Sequence, residues 1–173
     1  MLIPAWIDGA SVPMDKLEVH RRGLRHPAVS VFVLDAADRV LIQQRAFGKY
    51  HTPGLWANTC CTHPHWGEAA ADCATRRLRE ELGIAGLDLH PAGTVEYRAD
   101  VGGGMVEHEV VEIFTARATD GLAVAPDPAE VAATRWLGLE ELAAEIAAVP
   151  ERFTPWLRIY LADHRGTIFS GGA

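Results

Sequence analysis

The chain has 173 residues, 49% apolar and 23% charged, which suits one globular domain with a substantial core and leaves no room for a second. A net charge of −7 gives no general attraction for nucleic acid or for an anionic membrane surface, so neither is expected as a partner. An anionic small molecule can bind only where local cations, backbone N–H groups or a metal reverse that field.

The start, Met1-Leu2-Ile3-Pro4-Ala5-Trp6, lacks the layout of a secretory leader, and no apolar run approaches the roughly 20 residues that span a bilayer. A cytoplasmic protein is expected. Three cysteines, two of them adjacent at Cys60 and Cys61, make a poor disulfide framework and leave packing, metal ligation or catalysis as their uses.

In chain order, residues 1–26 read as a loop-like N-terminal segment, 27–165 as the core of a single domain spanning 1–173, and 166–173 as a flexible tail. β-Branched residues at 28–34 and 40–45, around Asp35-Ala36-Ala37-Asp38-Arg39, predict a β-hairpin. Residues 49–67 hold Pro53, Gly54, Pro64 and Gly67, which breaks them into loop and short strand. From Glu68 to Leu82, Ala71, Ala74, Leu78 and Leu82 recur at helical spacing and Gly83 supplies the stop. Strands are predicted near 93–99, 106–117 and 131–136, and helices near 139–147 and 154–164. The last carries Phe153, Trp156, Leu157, Tyr160 and Leu161 along one stripe.

Five of the eight histidines fall between positions 20 and 65, two of them, His20 and His26, flanking the basic turn Arg21-Arg22-Gly23-Leu24-Arg25. His63 follows Cys61 by two residues, so in an extended segment both side chains share a face. Any single histidine also fits an ordinary surface or satisfied buried role. In Val106-Glu107-His108-Glu109-Val110-Val111-Glu112-Ile113, period-two alternation puts Glu107 and Glu109 on the face of Val111 and Ile113. If that face is the core, two carboxylates are placed inside and require cations nearby. The opposite parity would turn His108 and Val110 inward and solvate the glutamates. Three imidazoles and two carboxylates suit Mn²⁺, Mg²⁺ or Zn²⁺.

On the helix, Arg76 with Glu80 and Arg77 with Glu81 are i, i+4 pairs, the spacing of ordinary surface ion pairs. Cys61 is either a small buried hydrophobe or, between histidines and near a metal, a thiol of lowered pKa fit for acid–base work. Trp156 is either the core anchor of its helix or a π face for a cation.

The segment Trp56-Ala57-Asn58-Thr59-Cys60-Cys61-Thr62-His63-Pro64 closely resembles the active-site segment of type I isopentenyl-diphosphate isomerases. The resemblance runs from about Lys16 to Trp156 and takes in His20 through His26, Arg45, Lys49, Tyr97-Arg98-Ala99, Val106 through Val110, and Phe153-Thr154-Pro155-Trp156. The helix also resembles a Nudix box, with Gly67 and Arg77-Leu78-Arg79-Glu80-Glu81-Leu82-Gly83 in register. Cys73 and Arg77, however, stand where the hydrolases usually carry glutamate, which argues against metal-activated hydrolysis. Pro27-Ala28-Val29 departs from the isomerases, which commonly have a basic residue and an aromatic after this histidine.

The resemblance implies a Nudix-type α/β (α+β) fold, a mixed β-sheet flanked by helices. It implies that His20, His26, His63, Glu107 and Glu109 hold Mn²⁺ (or Zn²⁺ or Mg²⁺), and that Glu81 helps place Mg²⁺ on a substrate diphosphate neutralised by Lys16, Arg45, Lys49 and Arg77. Cys61 and Glu109 would be the acid–base pair, Tyr97 an assistant to Glu109, and Trp156 the stabiliser of a carbocation. The implied reaction is isomerisation of isopentenyl to dimethylallyl diphosphate, with no flavin. Small size and the lack of an obvious exposed apolar helix make a monomer the expectation, and metal ligands arriving from a loop-like region make residues 1–26 a candidate lid. The alternatives are a Nudix pyrophosphohydrolase of a nucleoside diphosphate derivative and a non-catalytic diphosphate-binding module.

Overall fold

The computed structural model describes residues 1–169. It opens with a hairpin, β1 (Leu2–Ile7) and β2 (Ala10–Asp15), turned at Asp8-Gly9, both at positive φ. Ile3 and Ala5 alternate inward and are fully buried, so this region is ordered sheet and not the loop expected. Asp15 then caps α1 (Lys16–Arg22) by accepting from the Leu17 and Glu18 amides. Gly23 ends the helix in the left-handed conformation, where a Cβ would also crowd the Val106 side chain at 3.2 Å.

The main sheet is built from β3 (Arg25–Leu34), β4 (Arg39–Arg45), β5 (Trp56–Ala57), β6 (Cys60–Thr62), β7 (His90–Gly102), β8 (Met105–Arg117) and β9 (Val131–Gly138). The path is β5-β4-β3-β8-β7, with β6 paired to β3 and β9 to β4. β3 and β8 run parallel over ten registered pairs, while the other pairings are antiparallel. This is the mixed sheet expected.

The predicted hairpin of 28–34 with 40–45 closes at one registered pair, Leu34 with Val40. Beyond it the strands splay, because residues 56–62 enter between them: β5 pairs with β4 and β6 with β3. Thr59 bridges the split. Its hydroxyl accepts from the Val33 amide at 2.9 Å and donates to the Leu41 carbonyl at 2.6 Å, while Asn58 Nδ2 donates to the Val31 and Cys60 carbonyls. The strand groups that a simple hairpin would pair are satisfied by side chains.

Alternation along β3 divides the core. Val29, Val31 and Val33 face α2 (Ala70–Leu82), whose Cys73, Ala74, Leu78 and Leu82 are buried against them. Ala28, Phe32 and Leu34 face α3 (Leu139–Ala148) and α4 (Pro155–Asp163), represented by Leu142, Trp156, Leu157 and Tyr160. The helix expected from Glu68 starts at Ala70, because the Glu68 carboxylate turns back to accept from Arg76 and from the His65 amide. The expected flexible tail is corrected for residues 166–169. They belong to α5 (Arg165–Phe169), anchored by buried Ile168, by the Phe169 ring against Phe32 at 5.2 Å and by the Arg165–Glu140 ion pair; residues 170–173 lie outside those described. Among the described residues no helix is long and apolar enough to cross a membrane.

Thr59→Val removes both bridging hydrogen bonds at nearly constant volume. It is expected to lower stability by about 2 to 4 kcal/mol in urea denaturation; a loss under about 0.5 kcal/mol would mean the split between β3 and β4 is held otherwise.

Candidate active site and metal centre

Sheet register assembles the first part of the site. β3 against β8 sets His26 opposite Glu109, and β7 against β8 sets Tyr97 opposite Glu109, so three strands contribute one row. Glu107 and Glu109 are 2% and 0% exposed, on the inward parity, while His108 turns outward to Glu96. α1 delivers His20, and the segment after β6 delivers His63. Side-chain donors of His20, His26, His63 and Glu109 lie within 4.8 Å of one another.

The imidazoles are held for ligation. Nδ1 of His20 and of His26 each lies 2.7 Å from a carbonyl, of Lys16 and Leu24 respectively. Because a carbonyl only accepts, each Nδ1 carries a proton, so that in the neutral ring Nε2 is the nitrogen with the lone pair. Those two Nε2 atoms are buried without a hydrogen-bond partner among the described residues. Such orphaned acceptors, converging on a carboxylate, fit a divalent cation bound through nitrogen and oxygen. Glu107, expected in the same set, groups instead with His20 and His51, whose Nε2 is 3.6 Å from its Oε1. The two clusters share His20.

Tyr97 Oη lies 2.8 Å from Glu107 and 2.7 Å from Glu109, joining the carboxylates. Burial, then the charge of Glu109, holds Glu107 well above the usual carboxylate range. Burial pushes Glu109 the same way, but His63 at 2.8 Å and His26 outweigh it and hold Glu109 well below that range. Burial first, then Glu109 and Glu107, pushes the half-buried Cys61 thiol up, so protein groups alone do not give the lowered thiol pKa expected.

Lys16, Arg45, Lys49 and Arg77 line one narrow cavity with Cys61, Glu81, Glu107 and Trp156. Part of the Lys16 side chain reaches solvent, yet its ammonium is enclosed. Desolvation and the charges of Lys49, Arg45 and Arg77 bring it down to about 8. The helix ion pairs are not mere surface contacts: Arg77 donates to Glu81 at 2.5 Å, Glu80 at 2.7 Å and Glu130 at 3.2 Å, and Glu130 also pairs with Lys49. Glu81 is buried and also accepts from Gln43. Trp156 donates through Nε1 to Asn58 Oδ1 at 3.2 Å, and the Arg45 guanidinium lies 5.3 Å from its ring centroid. The indole is thus both core anchor and cavity wall.

The sequence pattern missed His51, which stacks on His20 and stands edge-on to Trp156. Its place in the histidine-rich stretch was the available signal. Gln43 and Glu130, which orient Glu81, Lys49 and Arg77, carried no motif.

The NUDIX domain family matches residues 24–157. The chain is 68% identical over 168 residues to the isopentenyl-diphosphate Delta-isomerase of Cereibacter sphaeroides, covering 97% of this chain and 94% of that one. It is 62% identical to the protein of the same name from Rhodobacter capsulatus, covering 97% and 95%. Among solved structures, a Deinococcus radiodurans protein superposes with a TM-score of 0.74 at 18% identity, covering 92% of this chain and 96% of that one. A Nudix hydrolase from M. smegmatis superposes with a TM-score of 0.63 at 18% identity, covering 100% and 97%. The structural likenesses establish the fold, and the close sequence relatives establish the branch: this chain belongs to the Nudix superfamily, as a member of its type I isopentenyl-diphosphate Delta-isomerase family.

Proposed function

We propose that this chain interconverts isopentenyl and dimethylallyl diphosphate, with Cys61 and Glu109 as the acid–base pair. The observation that carries the assignment is the meeting of Cys61, Trp156 and four cationic side chains on one cavity, beside the buried Glu107–Tyr97–Glu109 group.

In the direction of dimethylallyl diphosphate, Glu109 gives its proton to the terminal alkene carbon. The π electrons form the new C–H bond and leave positive charge at the tertiary carbon. Cys61 then takes a proton from the carbon on the diphosphate side, and that C–H pair becomes the new double bond. The reverse reaction swaps the roles. The pair carries one proton in all: this direction starts with it on Glu109 and Cys61 as thiolate, and ends with it on Cys61 and Glu109 as carboxylate, the placement that burial of the thiol and the histidines beside Glu109 favour. Tyr97 keeps Glu109 hydrogen-bonded as its charge changes. Trp156, fixed by Asn58, offers its face to the cationic carbon, a contact worth about 1 to 2 kcal/mol when desolvated.

Lys16, Arg45, Lys49 and Arg77 would bind the diphosphate, which gives an acidic protein a local basic site. A divalent cation, Mn²⁺ or else Zn²⁺ or Mg²⁺, held by His20, His26, His63 and Glu109, with Glu107 beside it in the adjoining group with His20 and His51, would offset the buried carboxylate charge, and Mg²⁺ near Glu81 would do so for the diphosphate.

Proton and phosphorus NMR in D₂O with isopentenyl diphosphate, Mg²⁺ and Mn²⁺ tests the assignment. Dimethylallyl diphosphate carrying deuterium is expected, with the diphosphate intact and the rate cut about 10²- to 10⁴-fold in Cys61→Ser; release of phosphate or pyrophosphate would overturn it. The pH profile tests Lys16. Since kcat/KM reports the free enzyme, it is expected to fall as pH rises through about 8, where Lys16 loses its charge. Lys16→Arg should move that limb to higher pH, and an unmoved limb would remove Lys16 from diphosphate binding.

A further inference from the structure

We infer that Ser30 and Tyr160 are positioning residues for Cys61, a buried hydroxyl pair that holds its sulfur in both protonation states. The inference rests on Cys61 being a reacting group, as proposed above. Ser30 and Cys61 are direct cross-strand partners in β3 and β6, so their side chains share a face by register. Ser30 Oγ donates to Cys61 Sγ at 3.2 Å and lies 3.0 Å from Tyr160 Oη, with Ser30 and Tyr160 both fully buried. Tyr160 follows Trp156 by one helical turn on α4, so the helix that offers the indole also anchors this pair. Its ring stands edge-on to Tyr97 at 5.9 Å, which ties the supports of the two reacting groups together.

The chemistry is that of two hydroxyls, each able to donate one hydrogen and to accept. With Cys61 as thiolate, Tyr160 donates to Ser30 and Ser30 donates to Sγ. With Cys61 as thiol, both bonds reverse by rotation of the O–H groups: Sγ–H donates to Ser30 and Ser30 donates to Tyr160. No covalent bond breaks in the pair and no proton leaves it. A reversible isomerase uses the cysteine in both states, and a fixed donor such as an amide N–H would serve only one.

A packing role alone would be satisfied by alanine and phenylalanine at these positions, so steady-state kinetics on Ser30→Ala, Tyr160→Phe and the double variant tests the inference, with Cys61→Ala as the control. Ser30→Ala is expected to lower kcat about 10- to 100-fold, the range for a hydrogen bond to a charged group, with KM changed less than about threefold. Tyr160→Phe should lower kcat about 3- to 10-fold, and the double variant should be no slower than Ser30→Ala, because Tyr160 acts through Ser30. Unchanged kcat in Ser30→Ala, or losses that multiply, would overturn the inference and leave the role of Cys61 standing. Full kcat in Cys61→Ala would remove both. Thermal unfolding of each variant confirms that the protein assayed is folded.

Discussion

Glu107 and Glu109 are two residues apart on the same face of β8, almost without solvent, and their burial constrains everything around them. Two ionised carboxylates so placed cannot both be tolerated without compensation, because desolvation and mutual repulsion each cost several kcal/mol. The compensation comes from far apart in the chain: His20 from α1, His26 from the start of β3, His63 from beyond β6, and the Tyr97 hydroxyl from β7. The N-terminal hairpin and α1 are therefore part of the site, since folding them back over the sheet is what delivers His20.

A second requirement is that Cys61 reach the same region. The insertion of residues 56–62 between β3 and β4 achieves this, at the expense of a broken hairpin ladder that Thr59 and Asn58 repair. Asn58 then serves twice, since its carbonyl oxygen also fixes the Trp156 indole. The helix equivalent to a Nudix box is turned to other uses. Cys73 is buried core, and Arg77 is drawn between Glu80, Glu81 and Glu130.

Much of this was legible in the residues because periodicity survives tertiary packing. The β8 parity placed both glutamates inward, and the helical spacing of Ala71 through Leu82 found α2 to within two residues. The N-terminal hairpin was missed although Asp8-Gly9 and the Ile3, Ala5 alternation were present; Pro4 and Pro13, which face one another in the pair, masked the strand signal. The splayed β3–β4 pair could not be seen, since a two-strand pattern around a turn does not reveal that a third segment enters between them. The contacts of Ser30 and Tyr160 were not legible for a related reason: they depend on register between strands and on the seating of α4, not on neighbours in sequence. The helical anchor at Ile168 lay in five residues too short to show a period.

The central claim is that the buried carboxylates are balanced by a divalent cation, and thermal unfolding of chelated protein titrated with Mn²⁺, in wild type and in Glu107→Gln, tests it most directly. Wild type at about 100 times the dissociation constant should gain about 2.7 kcal/mol, or roughly 5 to 10 °C. Glu107→Gln replaces a carboxyl that burial and the charge of Glu109 hold toward its neutral form without metal, so in chelator it should melt close to wild type, yet its gain with Mn²⁺ should fall by half or more. An equal gain in both proteins, or none in either, would contradict the account.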